Sequence, residues 1–317
     1  GSQEACKVAT GGMLPLGADS VAMVEDVEVV DSGTIALGRP LGPGENVVLQ
    51  GEDVKAGQKL FGRGHVIRPQ DMAALAGIGR SRVLVRRRPR VAIISTGDEV
   101  VEVAAEPKPG QIRDMNSYSL SAMAELEGGE PIRFGIIRDD YNALREALER
   151  AAAACDLVLI SGGSSIGARD YTLGAIESLG SPGVIVHGIA IRPGKPTILA
   201  LAGNKPIFGL PGHPVSCMTI FRLFVGPTIR RLLGIRPPWV NRTIRARITA
   251  NVSSKGGRDD YISVRLLKRE GEDSLWAEPV LGKSALISVL VRADGVVHIS
   301  RDKGGLARGE EVTVELF

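Results

Sequence analysis

Cysteine is scarce in this sequence: only Cys6, Cys155 and Cys217 occur in 317 residues, and they lie far apart. No CxxC pair and no spacing typical of zinc ligands is present, so the cysteines do not indicate a zinc site. Such scattered cysteines favour a reduced, cytoplasmic setting.

Long hydrophobic runs are absent as well. No apolar stretch reaches the roughly 18 residues that span a membrane, and no signal peptide is recognised. With 39 Lys and Arg against 36 Asp and Glu, the net charge of +3 is too small to indicate a nucleic-acid partner. The one basic run, residues 86–88, precedes an apolar strand and is interpreted as a solvated linker. We therefore expect neither a membrane nor a nucleic acid among the partners.

The chain divides into four predicted regions. Residues 1–37 predict the remnant of a β-rich domain, with two short strands in Ser20–Val30. Residues 38–88 are rich in glycine and proline and predict a small mixed β and linker domain with one helix, Pro69–Leu75. Residues 89–236 predict an α/β domain, and residues 237–317, with alternating apolar and polar positions between glycine turns, predict a small β-barrel.

Strand-like and helix-like segments alternate through residues 89–236. This alternation predicts a three-layer α/β/α domain with a mostly parallel sheet covered on both faces. Such sheets bind ligands at the C-terminal ends of their strands. The predicted strands are Val91–Ser95, Ile132–Ile137, Leu157–Ile160, Val184–Ile189 and the hairpin Thr197–Ala202 with Lys205–Phe208; the predicted helices are Ser117–Leu126, Tyr141–Ala154, Tyr171–Leu179 and Val215–Leu233.

A loop rich in glycine and serine follows the strand Leu157–Ile160. Glycines let the backbone approach a ligand, and amides, hydroxyls and a following helix N-terminus can hold a phosphate. Asp170 either caps the next helix or binds a metal that accompanies the phosphate. The loop is neither a Walker A motif nor a GxGxxG motif, so no nucleotide class follows. The predicted phosphate loop consists of Ser161, Gly162, Gly163, Ser164 and Ser165.

Acidic residues occur in two other loops of this domain. Thr96 and Gly97 lead into Asp98 and Glu99, whose adjacent carboxylates either hold a divalent cation or form an exposed polar loop. Asp114 is either a loop hydrogen-bonding residue or a ligand contact. Asn116 is predicted to cap the helix that begins at the next residue.

Two later segments combine prolines with groups suited to anions. Arg192 and Lys195 project from a proline-bounded turn that suits an anion or pyrophosphate, or that simply ends a strand. The segment 209–216 leads into the last helix, where Ser216 can meet an anion in the first turn. His213 has no metal-ligand partner at a suitable spacing and is interpreted as a positioning or packing residue.

Taken together, these segments resemble the molybdopterin molybdenumtransferase family, in order and in spacing. The upstream segments 9–25 and 51–60 are similar to that family too, so the resemblance covers nearly the whole chain. The segments that carry it are STGDEV at 95–100, GQIRDMNSYSL at 110–120, SGGSSIGARDYT at 161–172, RPGKPT at 192–197 and GLPGHPVS at 209–216.

The resemblance implies a molybdopterin-binding α/β domain and an enzyme that inserts molybdenum. The implied substrates are adenylylated molybdopterin and molybdate, with Mg2+ as the cation. Asp98, Glu99, Asp170 and Lys195 are the implied catalytic residues, and Asp98 and Asp170 the implied metal ligands. The implied substrate contacts are Thr96, Gly97, Asp114, Ser161, Gly162, Gly163, Ser164, Ser165, Arg192, Pro196, Pro211, Gly212, His213, Pro214 and Ser216, with Arg192 and Lys195 receiving molybdate.

The sequence departs from the family at three places. An N-terminal Asp-Gly-Tyr-Ala-like stretch that contributes an active-site Asp is missing, so a truncated chain is expected. His213 replaces the usual Asn. Ser263 stands where relatives commonly carry an Arg near the molybdate pocket, and Arg258 or Arg265 is the expected substitute.

Two other functions remain open at this stage. One is a molybdopterin adenylyltransferase-like enzyme, although such enzymes are single α/β domains without β-rich flanks. The other is a non-catalytic scaffold that binds molybdopterin or a partner peptide. The resemblance also implies a homodimer and other proteins of molybdenum cofactor biosynthesis as partners.

Overall fold

The computed structural model describes residues 4–162, 166–235, 237 and 241–317; for 166–170 it describes the backbone alone. The chain forms two compact units, Gly1–Gly62 and Arg63–Phe317. No helix among the described residues is long and apolar enough to cross a membrane.

The first unit contains a small antiparallel hairpin. A 3-10 helix, Val24–Asp26, leads into β1 (Val27–Val29), which pairs with β2 (Ile35–Leu37). Of the two strands predicted within Ser20–Val30, one is present as β1. The prediction of the other was wrong, because the second strand, β2, lies after this segment. The Asp31 carboxylate accepts a hydrogen bond from the Gly33 amide at 2.8 Å, and the turn that this bond stabilises places the second strand after it.

Residues 38–88, all of them described, form no strand, so the small β-elements expected there are a wrong prediction. Glycine costs conformational entropy in a strand and proline donates no ladder hydrogen bond. The helix predicted in this region is present as α1 (Pro69–Gly77). Its start is fixed by buried Asp71, which accepts hydrogen bonds from the Arg68 amide and guanidinium; the guanidinium lowers the pKa of this carboxyl well below its usual range.

The α/β fold predicted for residues 89–236 is confirmed. Its main sheet has the strand order β6-β3-β7-β11-β10-β8, in which the first four are mutually parallel and β10 runs antiparallel to both neighbours. The elements are β3 (Arg90–Thr96), β4 (Val100–Val101), β5 (Ile112–Arg113), α2 (Asn116–Leu126), β6 (Glu130–Ile137), α3 (Tyr141–Ala154), β7 (Leu157–Gly162), α4 (Ile166–Glu177), β8 (Pro182–His187), β9 (Ile191–Arg192), β10 (Ile198–Ala202), β11 (Lys205–Leu210), α5 (Pro214–Ile220), a π-helical turn (Phe221–Val225) and α6 (Gly226–Leu232).

Helices cover both faces of this sheet, and its central strands are buried on both sides. Alternate residues of β3 enter different cores: Ala92 and Ile94 pack with α3 and α4, whereas Val91 and Ile93 pack with α2, α5 and α6. This period of two is a property of extended chain. The arrangement is the predicted three-layer sandwich.

The long helix predicted at Val215–Leu233 is present with one irregularity. It runs from α5 through the π-helical turn into α6, which begins at Gly226. Pro227 has no amide hydrogen to donate, and a π-turn is a common way for a helix to accommodate the lost bond.

The C-terminal region forms the predicted barrel. Strands β15, β12, β18, β16 and β14 pair in that order, and β14 pairs back with β15, which closes a five-stranded ring. The elements are β12 (Thr243–Ile248), β13 (Val252–Ser253), β14 (Asp259–Lys268), β15 (Leu275–Pro279), α7 (Ile287–Val291), β16 (Gly295–Ile299), β17 (Gly305–Leu306) and β18 (Glu311–Leu316).

One strand of the α/β region belongs to this barrel sheet. Strand β9 pairs in parallel with β14, with Ile191 opposite Asp259 and Arg192 opposite Asp260. The Asp259 amide also donates to the Ala190 carbonyl at 2.9 Å. The segment that carries Arg192 is thus fixed to the barrel.

Candidate functional site

The C-terminal ends of four parallel strands meet at one edge of the main sheet. Thr96 on β3 lies opposite Ile137 on β6 and Gly162 on β7, and Ser161 lies opposite Leu210 on β11. Because parallel strands end together, the loops that follow them are neighbours. The structure therefore brings the acidic loop (residues 97–99), the end of β7 with Ser161 and Gly162, and the 211–216 segment to one edge of the sheet.

Gly162 is required where β3 and β7 end. Its φ is +122°, and a Cβ atom there would lie 1.9 Å from the Thr96 carbonyl oxygen. No other residue type fits such a contact. The sequence indicated that this glycine serves the approach of a ligand, which stays a prediction; the structure shows that it also allows the approach of β3.

Asp114 caps helix α2 from inside the protein. Its carboxylate accepts hydrogen bonds from the Ser117 amide at 3.1 Å and from the Ser95 hydroxyl at 2.7 Å. Of the two roles open for this residue, these contacts correspond to the loop hydrogen-bonding role. Asn116 makes no capping bond, so its prediction as the cap was wrong, because the helix begins one residue earlier than expected.

Asn116 instead joins two strand ends. Its amide nitrogen donates to the Ser161 hydroxyl at 2.8 Å and to the Gly212 carbonyl at 2.8 Å. The side chain is buried. The end of β7 and the loop after β11 are thus held to the same side chain.

Asp139 is a site residue that the sequence reasoning missed. Its carboxylate accepts from the Thr96 hydroxyl at 2.8 Å, and its amide donates to the Asp98 carboxylate at 3.3 Å. Asp98 and Glu99 are exposed, whereas Asp139 is half-buried. The signal was available, since residues 138–140 place two aspartates directly after a predicted strand.

Part of the predicted phosphate loop lies outside the described residues. Gly163, Ser164 and Ser165 belong to this part, and so does the side chain of Asp170. The backbone of Asp170 lies inside α4, which begins at Ile166, so its interpretation as the cap of that helix was wrong. Its interpretation as a metal ligand stays a prediction. Ser161 is buried, and its hydroxyl lies 3.8 Å from the Cys217 sulfur. Burial raises the pKa of the Cys217 thiol to about 12, so this thiol is neutral and unsuited to nucleophilic chemistry.

The basic turn, residues 192–196, is tightly built. The Thr197 hydroxyl donates to the Gly194 carbonyl at 2.6 Å, and the Ile189 amide donates to the Lys195 carbonyl at 3.0 Å. Gly194 has a φ of +130°, and a Cβ there would lie 2.4 Å from Ile220 of α5. The turn therefore packs on the helix of the 211–216 segment, with Arg192 and Lys195 exposed and Pro196 half-buried.

The 211–216 segment is mostly buried. Pro211, Pro214 and Ser216 are inaccessible, whereas the exposed His213 ring contacts the Ser284 hydroxyl through Nδ1 at 2.9 Å. The Val215 amide donates to the Ser284 carbonyl as well, at 3.2 Å. His213 therefore connects the site helix with the segment before α7, in agreement with the positioning role.

The departure at residue 263 leaves no cation at that position. Ser263 is buried in β14, and its carbonyl accepts from the Val280 amide at 2.8 Å. Of the two expected substitutes, Arg265 pairs with Glu278 at 2.8 Å on the neighbouring strand. Arg258 bonds to Asp260, opposite the basic turn.

Comparison with known proteins identifies the class of protein to which this fold belongs. A family model described as a probable molybdopterin binding domain matches residues 92–231. Models of the MoeA N-terminal region (domain I and II) and of the MoeA C-terminal region (domain IV) match residues 1–79 and 245–317. The α/β domain thus matches a probable molybdopterin binding domain, and the regions on either side of it match the two MoeA models.

The relatives narrow this class to a family. The chain is 37% identical over 262 residues to a molybdopterin molybdenumtransferase of Nostoc sp., covering 82% of this chain and 60% of the relative. It is 33% identical over 317 residues to that of Haemophilus influenzae, covering 100% of this chain and 78% of the relative. A solved molybdopterin biosynthesis MoeA protein from Pyrococcus horikoshii has a TM-score of 0.80 at 32% identity, covering 98% of this chain and 74% of that one. The chain belongs to the molybdopterin molybdenumtransferase family.

Proposed function

We propose that this protein inserts molybdenum into molybdopterin by Mg2+-dependent cleavage of adenylylated molybdopterin and transfer from molybdate. The observation that supports it most is the convergence at one sheet edge of the Thr96–Asp98–Asp139 cluster, Ser161 and the 211–216 segment. A phosphoanhydride can be cleaved there by positioning and charge neutralisation, without a side-chain nucleophile.

The proposed reaction is balanced without an external oxidant or reductant. Water cleaves the phosphoanhydride bond, and AMP leaves. The two dithiol sulfurs bind molybdenum as one oxygen of molybdate departs as water with the two thiol protons. In this scheme Gly162 and the loop after it face the phosphates, while Arg192 and Lys195 neutralise molybdate.

The carboxylates present fit a magnesium ion. Asp98 and Asp139 supply oxygen ligands on adjacent strand ends, and Mg2+ commonly binds through one or two carboxylates, waters and substrate phosphates. When bound, the ion would neutralise charge on the pyrophosphate.

An AMP-release assay tests this function. The protein is incubated with adenylylated molybdopterin, magnesium and molybdate, and Asp139→Asn is compared with Asp140→Asn, a neighbour whose carboxylate caps α3. We expect Asp139→Asn to slow release by about 100-fold, the scale for losing one electrostatic contact in a site, and Asp140→Asn to stay near wild type.

Two results would contradict the proposal. No AMP release from the wild-type protein would exclude the transferase activity. Conversion of ATP and molybdopterin to the adenylylated product would favour the adenylyltransferase alternative. Removal of magnesium with EDTA should abolish release, and unaffected release would exclude the cation from the reaction.

The proposal also includes the cellular compartment and the oligomeric state. The three cysteines are free, and Cys155 and Cys217 are buried, which supports a reducing, cytoplasmic environment. We propose a homodimer and contacts with other proteins of molybdenum cofactor biosynthesis, since family resemblance implies both. Light scattering that finds only monomer at micromolar concentration would contradict the dimer.

A further inference from the structure

A carboxylate with no exposed surface lies beside the basic turn. Asp260 is 0% exposed, and it accepts hydrogen bonds from the Ser254 hydroxyl at 2.9 Å and from Arg258 Nε at 2.9 Å. Arg192 Nη1 lies 3.9 Å from its second oxygen. A buried carboxylate needs compensating cations, and Asp260 has two arginines, one from each domain.

Backbone pairing makes this arrangement specific. Strands β9 and β14 run in parallel with Arg192 opposite Asp260, so the register brings the basic turn to the carboxylate. Arg258 precedes β14 after a turn in which Gly257 has a φ of +85°. The two guanidinium groups are therefore placed near each other by the backbone as well as by their shared partner.

Both arginines retain donors that the protein does not use. Arg258 reaches Asp260 through Nε, and neither of its Nη atoms has a hydrogen-bond partner among the described residues. The Arg192 side chain is 61% exposed, and its one contact within the described part of the chain is the ion pair with Asp260. Planar guanidinium groups with free N–H donors are suited to tetrahedral oxyanions.

We infer that Arg258 is the third cation of the oxyanion-binding site, and that Asp260 holds it beside Arg192 to receive molybdate. This inference rests on the proposed function. Arg192, Lys195 and Arg258 contribute three positive charges and Asp260 one negative charge, so the set carries +2, which complements a dianion. Arg265 is excluded because it lies five residues beyond Asp260 on β14 and pairs with Glu278 of β15, away from the pairing with β9.

Equilibrium dialysis with molybdate alone, at low ionic strength, tests the assignment without turnover. The variants are Arg258→Gln and the matched control Arg265→Gln, an arginine lost from the same strand region. We expect Arg258→Gln to raise the Kd for molybdate by about tenfold or more, the usual loss for a charge-assisted hydrogen bond, and Arg265→Gln to change it less than about twofold. Arg258→Lys should be intermediate, since it keeps the charge but not the planar donors.

A double variant distinguishes the loss of molybdate contacts from misfolding of the single variant. Arg258→Gln alone leaves Asp260 with one ion pair fewer, whereas Arg258→Gln with Asp260→Asn removes both charges and keeps the set at +2. We still expect weaker molybdate binding from the double variant, because the donors of Arg258 and the anchor of Arg192 are lost. An unchanged Kd in the folded double variant, or a larger effect of Arg265→Gln, would overturn the inference.

The result also separates this inference from the proposed function. If wild type releases AMP and binds molybdate while Arg258→Gln binds equally well, only the inference is wrong. If wild type neither binds molybdate nor releases AMP, the proposed function itself fails.

Discussion

Single buried side chains hold this site together by bonding to two elements at once. Asp114 bonds to the first turn of α2 and to Ser95 at the end of β3, and Asn116 bonds to the end of β7 and to the loop after β11. A buried polar group that loses its partner costs free energy in proportion to its burial. The stability of α2 and the geometry of the site are therefore linked.

Replacing Asp114 by Ala should lower the free energy of unfolding by about 2–3 kcal/mol, because a cap is lost and the Ser95 hydroxyl is left buried without its acceptor. Asp140→Ala is the matched control, since it removes an exposed cap whose carboxylate accepts only from the Ala143 amide, and should cost about 1 kcal/mol. Urea denaturation measures both. Equal losses would show that the Ser95 contact contributes nothing.

Site residues that lie at the end of a strand could be predicted from the sequence. Thr96 and Ser161 follow strands recognisable by their apolar runs, and the structure places them together. Asp139 was missed because its role depends on β6 lying beside β3, which is a matter of sheet order. The Asn116 cap was wrong because the first helical residue is set by one hydrogen bond, and helix boundaries are uncertain by a residue or two.

Strand ends define the site at the level of secondary structure. Strands β3 and β7 approach so closely at their last residues that only a glycine at 162 allows it. The acidic loop after β3 and the phosphate loop after β7 both start from this contact. Any group added there would displace the two loops together.

Gly162→Ala should destabilise the protein by more than ~3 kcal/mol, because the new Cβ meets the Thr96 carbonyl and the backbone is strained. Gly135→Ala is the control: it has a φ of +84° with nothing within 4 Å of its Cβ, so it isolates the conformational cost of about 1 kcal/mol. Thermal or urea unfolding compares the two. A Gly162 variant as stable as the Gly135 variant would contradict the close contact.

Elements with a clear pattern were predictable, and those without one were not. Strand β3 stands out as a continuous apolar run, and helix α3 stands out because its apolar residues recur at helical spacing. The hairpin β10–β11 was indicated by Gly203 and Asn204 between apolar runs. Residues 38–88 contain no such pattern, and their glycines and prolines, which were expected to bound small β-elements, form turns instead.

At the scale of the whole molecule, the ion pair between Arg87 and Asp156 connects the segment before the main sheet to the start of its central strand β7. Arg87 donates from both Nη atoms to the Asp156 carboxylate, each at 2.6 Å, and the Arg90 amide donates to it as well. The basic run was interpreted as a solvated linker, and the Arg87 side chain is 69% exposed as well as paired with Asp156. Its partner lies 69 residues away, a separation at which sequence gives no signal.

This pair gives the protein's stability a pH dependence. The hydrogen bonds from Arg87 lower the pKa of the Asp156 carboxyl below its ordinary value. A lowered folded-state pKa contributes stability that is complete above the unfolded-state value of about 3.9 and is lost as pH falls through the folded-state value. Arg87→Ala should therefore lower the Tm at pH 7, with a difference from wild type that shrinks below about pH 4. A difference that is constant from pH 7 to pH 3 would contradict the ion pair.

The barrel was predictable from alternation and glycine turns, but its use of β9 was not. A strand of two residues carries no period, and its partner β14 comes 67 positions later in the chain, counted from Arg192 to Asp259. The boundary that composition predicts between the α/β domain and the barrel therefore stays a prediction, because strand β9 of the first pairs with strand β14 of the second.

The pairing of β9 with the barrel sheet limits how the protein can move. Because β9 is paired with β14, the barrel cannot swing away from the main sheet without pulling on the turn that carries Arg192 and Lys195. On its other side the same turn is packed against α5, since Gly194 lies directly on Ile220. Arg192 and Lys195 are therefore fixed to the barrel and to the α/β domain at once, and a displacement of either domain would strain the turn between them.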